Sequence, residues 1–131
     1  MGQLGRPTDG ELEILRVLWV RGPSTVRQVH KAISLSKKTT SNTTLKLMQI
    51  MLEKGMVTRD DSDRPQVYQA AVPEEQTQRQ LVSDFLHRVF GGSARKLVAA
   101  LTQTNISQEE VNEIRKLLSQ SKGKKHGHSD Q

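Results

Sequence analysis

A stretch of 39 residues without Asp or Glu, from Ile14 to Leu52, constrains most strongly how this chain can fold. It contains seven Lys and Arg residues and two short apolar patterns with helical spacing, which are joined by a polar loop. Apolar residues that recur every three or four positions give a helix one buried face and leave its other face to solvent. The stretch therefore predicts packed helices whose exposed faces carry positive charge and no acidic side chain.

Two capping boxes, in which Thr is followed three residues later by Glu or Gln, mark helix starts at Thr8 and Thr25. The first helix is expected to end at Arg21, because the Gly22-Pro23 pair that follows is a helix stop signal. The second helix is short and ends before Ser34, where a polar loop follows. The first half of the chain thus opens with two helices separated by a tight turn.

A third helix is predicted from about Ser41 to Lys54, and Gly55 can end it in the left-handed conformation. Its buried face is expected to be apolar and to consist of Leu45, Met48 and Leu52, flanked by Met51. The opposite face then shows Asn42, Lys46 and Gln49, with Thr43 and Ile50 at its edge. A short helix, a turn and a longer helix with a polar outer face predict a helix-turn-helix.

Two β-prone runs follow the third helix, residues 56–59 and 66–70, around a polar turn rich in Asp and Ser. They predict a β-hairpin with Arg64 near its tip. A hairpin directly after the recognition helix of a helix-turn-helix is the wing of a winged helix. Residues 1–72 are therefore predicted to form a winged helix-turn-helix domain.

The outer face of the third helix carries the residue types that read base edges in duplex DNA. Asn and Gln pair bidentately with adenine, and Lys reaches guanine or phosphate, so base contacts are assigned to Asn42, Gln49 and Lys46. The helix start has free N–H groups that suit phosphate, together with Ser41 and Thr43. Further phosphate contacts are expected from Thr25, Arg27, Arg59 and Arg64. The predicted partner of residues 1–72 is double-stranded DNA.

The second half, residues 73–120, is predicted to form three short amphipathic helices. So little apolar surface can hardly bury a core alone, and we expect these helices to interlock with a second copy in a homodimer. The residues assigned to this helical dimerisation region are Leu81, Phe85, Val89, Phe90, Leu97, Leu101, Val111, Ile114 and Leu118. Residues 121–131 are expected to be a disordered basic tail. The expected fold class is mainly α with a small β-hairpin wing.

Other classes of function have little support in the sequence. The chain has no Cys and no Ser/His/Asp, paired-carboxylate or glycine-rich phosphate-binding pattern, so we expect neither an enzyme nor a cofactor. His126 and His128 could chelate a metal, but they lie in the predicted tail, and no metal site is assigned. No apolar run approaches the roughly 20 residues of a membrane span, and no signal peptide is evident. We expect a cytoplasmic protein without membrane contact.

Three alternatives stay open beside sequence-specific DNA binding. A non-specific, nucleoid-type DNA binder is favoured by the basic tail, and its affinity would depend on salt but not on sequence. A winged helix used only as a protein-interaction module would show a neutral or acidic third-helix face, which this chain lacks. An inducer-binding regulator of the same fold is also compatible, although no ligand pocket is evident from the sequence.

Several short segments in both halves of the chain follow one another in a distinctive order and spacing. They are residues 8–19, 22–29, 43–45, 52–57, 90–93, 97–98, 107–111 and 113–118. They resemble the penicillinase-repressor (BlaI/MecI/CopY-type) family of winged-helix transcriptional regulators, over about residues 7–119. The resemblance implies a homodimeric repressor that binds a palindromic operator in the promoter of a resistance or stress gene.

Antibiotic-responsive members of that family are released when a membrane sensor-protease signals and the repressor is cut at an Asn-Phe bond in the middle C-terminal helix. The matching positions here are Ala100 and Leu101, so the resemblance implies a sensor protease as partner but a cleavage site of altered residues. Copper-responsive members carry C-terminal Cys residues, which this chain lacks. Thr40 stands where the family usually has Trp, which predicts different packing of the loop before the third helix.

Overall fold

The computed structural model describes the backbone of residues 6–125 and the side chains of residues 6–120. Its elements, in chain order, are α1 (Asp9–Arg21), α2 (Val26–Ile33), α3 (Ser41–Lys54), β1 (Val57–Asp60), β2 (Val67–Ala70), α4 (Glu74–Phe90), α5 (Ala94–Leu101) and α6 (Gln108–Lys125). This order confirms the predicted fold class, a mainly helical chain with one β-hairpin after the third helix.

Two compact units divide the chain, one up to Ser83 and the other from Asp84. The division falls inside α4, later than the boundary predicted at residue 72. The first turns of α4 belong to the first unit because Thr77 is buried there. Leu81 lines a small cavity of about 30 Å³ together with Leu15 and Met56.

The helices of the first unit begin and end at the predicted signals. Thr8 Oγ1 accepts from the Glu11 N–H at 3.2 Å, and the Glu11 carboxylate accepts from the Thr8 N–H at 3.0 Å. Thr25 and Gln28 form the same reciprocal pair at the start of α2. At the end of α3, Gly55 adopts a φ of 81°, where a side chain would be strained. Local hydrogen bonds therefore set these helix boundaries.

One apolar core holds the first unit together. It is built from all three helices and the hairpin, and its buried side chains are Ile14, Leu15, Leu18, Val29, Ile33, Met48, Met51, Met56, Val57 and Tyr68. Only one of these is aromatic, so the packing depends on branched and flexible aliphatic side chains, among which Met adapts most easily to irregular gaps.

The hairpin is anchored to the turn between α1 and α2. β1 and β2 pair antiparallel, with Arg59 opposite Tyr68. On the other edge of β2, the Tyr68 N–H donates to the Ser24 carbonyl at 2.8 Å and the Ser24 N–H donates to the Tyr68 carbonyl at 2.9 Å. The Trp19 indole N–H donates to the Val72 carbonyl at 3.0 Å, which fastens the chain leaving the hairpin to α1. The wing is therefore held on both sides.

The buried face of α3 differs from the prediction. Thr44, Met48 and Met51 are buried, whereas Leu45 is 38% exposed. At about 100° per residue, positions 44, 48 and 51 lie within one narrow stripe, and position 45 lies well outside it. The buried stripe therefore includes a Thr, and the assignment of Leu45 to the core was wrong.

The C-terminal helix also differs from the prediction, because α6 continues to Lys125, into the segment 121–131 that was expected to be disordered. Once a helix is nucleated, each added residue contributes a hydrogen bond at little further cost, and residues 108–125 contain no Pro. The rest of the predicted tail, residues 126–131, lies outside the described residues.

An ion pair with one buried partner joins the start of α1 to the end of α3. The Glu11 side chain is 2% exposed, and its carboxylate lies 2.8 Å from Lys54 Nζ. Burial alone would raise the pKa of Glu11, but hydrogen bonds from Lys54 and Thr8 and the charge of Lys54 outweigh it, so this pKa lies below its usual value. Glu13 and Lys37 form a pair of the same length in which both side chains are exposed.

Replacing Lys54 by Met should lower the free energy of unfolding at neutral pH by roughly 1–3 kcal/mol, because the buried Glu11 carboxylate loses its cation. Lys37→Met is the matched control, since it removes an equally short pair between exposed side chains, and it should cost less than about 1 kcal/mol. Urea unfolding measures both values, and equal costs would contradict a special role for the Glu11–Lys54 pair.

The difference in unfolding free energy between the natural protein and the Lys54→Met variant should depend on pH. Because the pKa of folded Glu11 is lowered, the contribution of the ion pair is fully present above the ordinary pKa of Glu, about 4.3, and is lost as pH falls through the lower folded value. The stability gap between the natural protein and the Lys54→Met variant should therefore shrink in acid.

Candidate nucleic-acid interface

The outward face of α3 presents a line of polar side chains to solvent. Asn42, Lys46 and Gln49 are all exposed, and their spacing of four and three residues places them on one face. Ser41 and Thr43 are also exposed, in the first turn of the helix. Glu53 follows Gln49 by four residues on the same face, so the acid-free surface is confined to the first three turns of α3.

The rotation of α3 is held by a polar contact to α2. The Thr44 side chain is buried, and its hydroxyl lies 3.2 Å from His30 Nδ1. The same hydroxyl donates to the Thr40 carbonyl at 3.4 Å, so its oxygen can accept a hydrogen bond from His30 in the tautomer that carries its proton on Nδ1. A hydrogen bond contributes about 0.5–1.5 kcal/mol net, so this contact between α2 and α3 favours the orientation of α3 in which Thr44 is buried.

The first turn of α3 offers N–H groups to an anion. Thr40 caps the helix, because its side chain accepts from the Thr43 N–H at 3.1 Å. The amides of Ser41 and Asn42 precede the first intrahelical bonds and are directed out of the helix end. Such amides, with the partial positive charge of the helix start and a neighbouring Ser hydroxyl, match a phosphate group.

Two further residues that are predicted to contact phosphate lie at the start of α2. Thr25 is half-buried, and its oxygen accepts the Gln28 N–H at 3.1 Å, which leaves its hydroxyl proton free to donate. Arg27 is exposed in the first turn of α2. Both residues therefore stay compatible with the phosphate role predicted for them.

The two Arg residues of the wing differ in their contacts. Arg59 donates to Asp61 through Nε at 2.6 Å and through Nη2 at 3.3 Å, and its guanidinium carbon lies 6.0 Å from the centre of the Tyr68 ring. The Tyr68 side chain and the Asp61 carboxylate together raise the pKa of Arg59. Arg64 is exposed. Arg59 thus shares its charge with a carboxylate, and Arg64 is the more available cation.

The acidic turn of the wing is organised by its own hydrogen bonds. Asp60 Oδ1 accepts from the Ser62 N–H at 2.9 Å and from the Ser62 hydroxyl at 2.6 Å, and these bonds lower the pKa of Asp60. Asp60 therefore shapes the turn, and Asp61 pairs with Arg59. Among residues 6–120, no cluster of three or more His, Cys, Asp or Glu side chains is arranged to hold a metal ion.

Two apolar side chains on the outer side of α3 were not among the predicted contacts. Leu45 and Ile50 are 38% and 37% exposed. Their angular positions on the helix could have identified Leu45 as exposed, but its apolar character suggested burial instead. Both residues flank the polar line of Asn42, Lys46 and Gln49.

The predicted dimerisation residues, apart from Leu81, lie in the second unit, where each side chain is exposed or half-buried. The Phe85 and Phe90 rings meet edge to face, with their centres 5.7 Å apart. Val89 and Leu97 are on the surfaces of α4 and α5. A groove of about 140 Å³ between α5 and α6 is lined mainly by apolar side chains, among them Leu101, Val111, Ile114 and Leu118. Ala100 and Leu101 are half-buried in the last turn of α5.

Comparison with known proteins identifies the family. The model of the penicillinase repressor family matches residues 7–120. The chain belongs to the penicillinase repressor family. This finding confirms the resemblance seen in the sequence. Within the described part of the chain, no helix is both long and apolar enough to cross a membrane.

This chain is similar to several named members of the family along most of their length. It is 24% identical over 126 residues to the penicillinase repressor of Bacillus licheniformis, covering 95% of this chain and 98% of the relative. It is 26% identical over 121 residues to the transcriptional regulator BlaI of Mycobacterium tuberculosis, covering 92% and 88%. It is 21% identical over 112 residues to the methicillin resistance regulatory protein MecI of Staphylococcus aureus, covering 85% and 91%.

A solved structure supports the fold of the first half. The solution structure of the DNA-binding domain of the repressor BlaI matches with a TM-score of 0.50 and 23% identity, covering 56% of this chain and 90% of that domain. The helix-turn-helix and wing described above are therefore the elements of a winged helix.

Proposed function

We propose that this protein is a cytoplasmic, non-enzymatic transcriptional repressor that binds double-stranded DNA as a homodimer. Its family membership and its similarity to named repressors and transcriptional regulators support DNA binding and repression. The observation that carries the proposal is the outer face of the first three turns of α3, which has no acidic side chain and where Asn42, Lys46 and Gln49 are exposed. These are the side chains that distinguish base pairs in the major groove.

A homodimer is supported by the incomplete packing of the second unit. Among residues 84–120 no large hydrophobic side chain is fully buried, whereas the first unit has a closed core. The edges of the apolar groove between α5 and α6 include Leu118, which is 53% exposed. A stable unit of this size needs further apolar burial, and a second copy of the same groove supplies it by symmetry.

A two-fold dimer presents two copies of α3, so its operator is an inverted repeat with half-sites about one helical turn, or a multiple of it, apart. A dimer on such a site represses by blocking polymerase. The resistance or stress genes suggested by the family are the proposed targets.

Release by a sensor protease, as the family resemblance implies, would require the end of α5 to open. Proteases act on accessible backbone, but the Ala100 carbonyl accepts from the Gln103 N–H at 3.0 Å and the Leu101 carbonyl accepts from the Thr104 N–H at 3.1 Å. Cleavage between Ala100 and Leu101 would therefore follow local unfolding of this turn.

Selection of bound duplexes from a random pool, at physiological salt, tests the proposed function directly. We expect recovery of an inverted repeat, because a symmetric dimer reads the same bases twice. Binding without any recovered motif would support the non-specific, nucleoid-type alternative. No binding to duplex DNA would overturn the proposal in favour of a protein partner.

Replacing Lys46 or Asn42 by Ala should each weaken binding to the selected operator by about 1–3 kcal/mol and relax the base preference at the contacted position. Lys116→Ala is the matched control for charge, since it removes an exposed Lys from α6 in the second unit. Titration of labelled operator and single-base variants measures both effects. Unchanged affinity and preference in both α3 variants would show that another surface reads the DNA.

Leu118→Glu should convert the dimer to monomer, because it places a charge at the edge of the apolar groove that the second copy is proposed to cover. Gln120→Glu is the control, since it adds the same charge to an exposed position of the same helix. Sedimentation equilibrium measures the association state. Operator affinity should fall roughly tenfold or more with loss of the second half-site contact. A Leu118→Glu variant that stays dimeric would contradict the proposed interface.

A further inference from the structure

Leu45 and Ile50 occupy distinctive positions on α3. Leu45 follows Asn42 by three residues and precedes Gln49 by four, and Ile50 follows Lys46 by four. These spacings make each of them a surface neighbour of the polar line. At 3.6 residues per turn, Leu45 lies about 70° to one side of the centre of that line and Ile50 about 70° to the other. The polar line is therefore bordered by an apolar side chain on each side.

Neither side chain belongs to the buried core of the first unit or to the half-buried residues packed against it. The buried stripe of α3 is formed by Thr44, Met48 and Met51, while Leu45 and Ile50 each keep more than a third of their surface in water. One exposed apolar residue carries no meaning, since many occur on ordinary protein surfaces. Two exposed apolar residues that border the same polar line indicate a partner surface that carries apolar groups.

The major groove of DNA offers one apolar group at its base edges, the C5-methyl of thymine. The groove is about 12 Å wide, close to the diameter of a helix with its side chains, so residues at the flanks of the inserted face also reach base edges. Each thymine methyl projects from the base edge towards the wall formed by its own strand. An apolar side chain beside the polar line therefore meets methyl groups where a polar one meets adenine or guanine.

We infer that Leu45 and Ile50 contact thymine methyl groups and make thymine a specificity-determining base of the operator. The inference rests on the proposed DNA-binding function and deepens it. Asn42 and Gln49 recognise adenine, and the flanking apolar side chains recognise thymine, so α3 reads A·T pairs through two kinds of contact. Leu35, which is 85% exposed in the loop after α2, lies outside this face and takes no part.

Deoxyuracil substitution tests the inference, because it removes the methyl group and leaves base pairing intact. In the operator recovered by selection, each thymine is replaced in turn, and binding of the natural protein is titrated. At the contacted thymines the affinity should fall about fourfold, as expected for the loss of one buried methyl contact.

Variants then assign each methyl to a side chain. Leu45→Ala and Ile50→Ala should each lose the difference between thymine and deoxyuracil at their own positions and keep it elsewhere. Leu35→Ala, the matched control, should keep the full difference at every thymine. The ratio of two affinities measured with one protein sample does not depend on the folded fraction, so a partly destabilised variant still gives a valid result.

The outcomes separate this inference from the proposed function. Specific operator binding with no deoxyuracil effect at any thymine would overturn the inference and leave the function intact. A deoxyuracil effect that persists in both Ala variants would also overturn it, since another group then contacts the methyl. Failure of the natural protein to select any duplex would overturn the proposed function itself.

Discussion

The rotation of α3 about its own axis is the constraint on which the proposed interface depends. Thr44, Met48 and Met51 are directed into the core, and this choice alone decides which side chains reach solvent. Burial of the apolar Met48 and Met51 side chains stabilises the fold. Burial of Thr44 is not explained by packing alone, because an apolar residue at that position would pack equally well. The hydrogen bond between His30 and Thr44 adds a directional contact to α2. Packing thus buries one stripe of α3, and this bond adds to the preference for its observed orientation.

The two units solve the problem of stability in different ways. In the first unit, α1, α2, α3 and the hairpin form a closed core, and the Glu11–Lys54 pair joins α1 to α3. A surface that must discriminate among base pairs benefits from such rigidity, because small displacements lose bidentate contacts. The second unit keeps its apolar side chains partly exposed, so we expect its folding to be coupled to the proposed association with a second copy.

Local signals explain what the sequence predicted well, and tertiary contacts explain what it did not. Capping residues such as Thr8 and Thr25 act within one helix turn, so the helix starts could be predicted from short patterns. Leu45 was misassigned because its apolar character outweighed its angular position. The pairing of Arg59 with Asp61 depends on the conformation of the wing turn, and the bridge from Ser24 to Tyr68 joins distant segments. Neither contact can be predicted from the local sequence pattern.

The distribution of charge separates attraction to DNA from recognition of it. The net charge of +6 attracts any duplex, and this attraction carries no sequence information. Asp61 partly neutralises Arg59, so in the proposed complex the wing would add less sequence-independent attraction to phosphates than a free Arg would. Under the proposed function, discrimination falls to the first three turns of α3, where Lys46 is flanked by uncharged side chains that can form hydrogen bonds to bases or pack against them. A surface with more cations would bind DNA more tightly and distinguish operators less well, because added phosphate contacts stabilise all sequences equally.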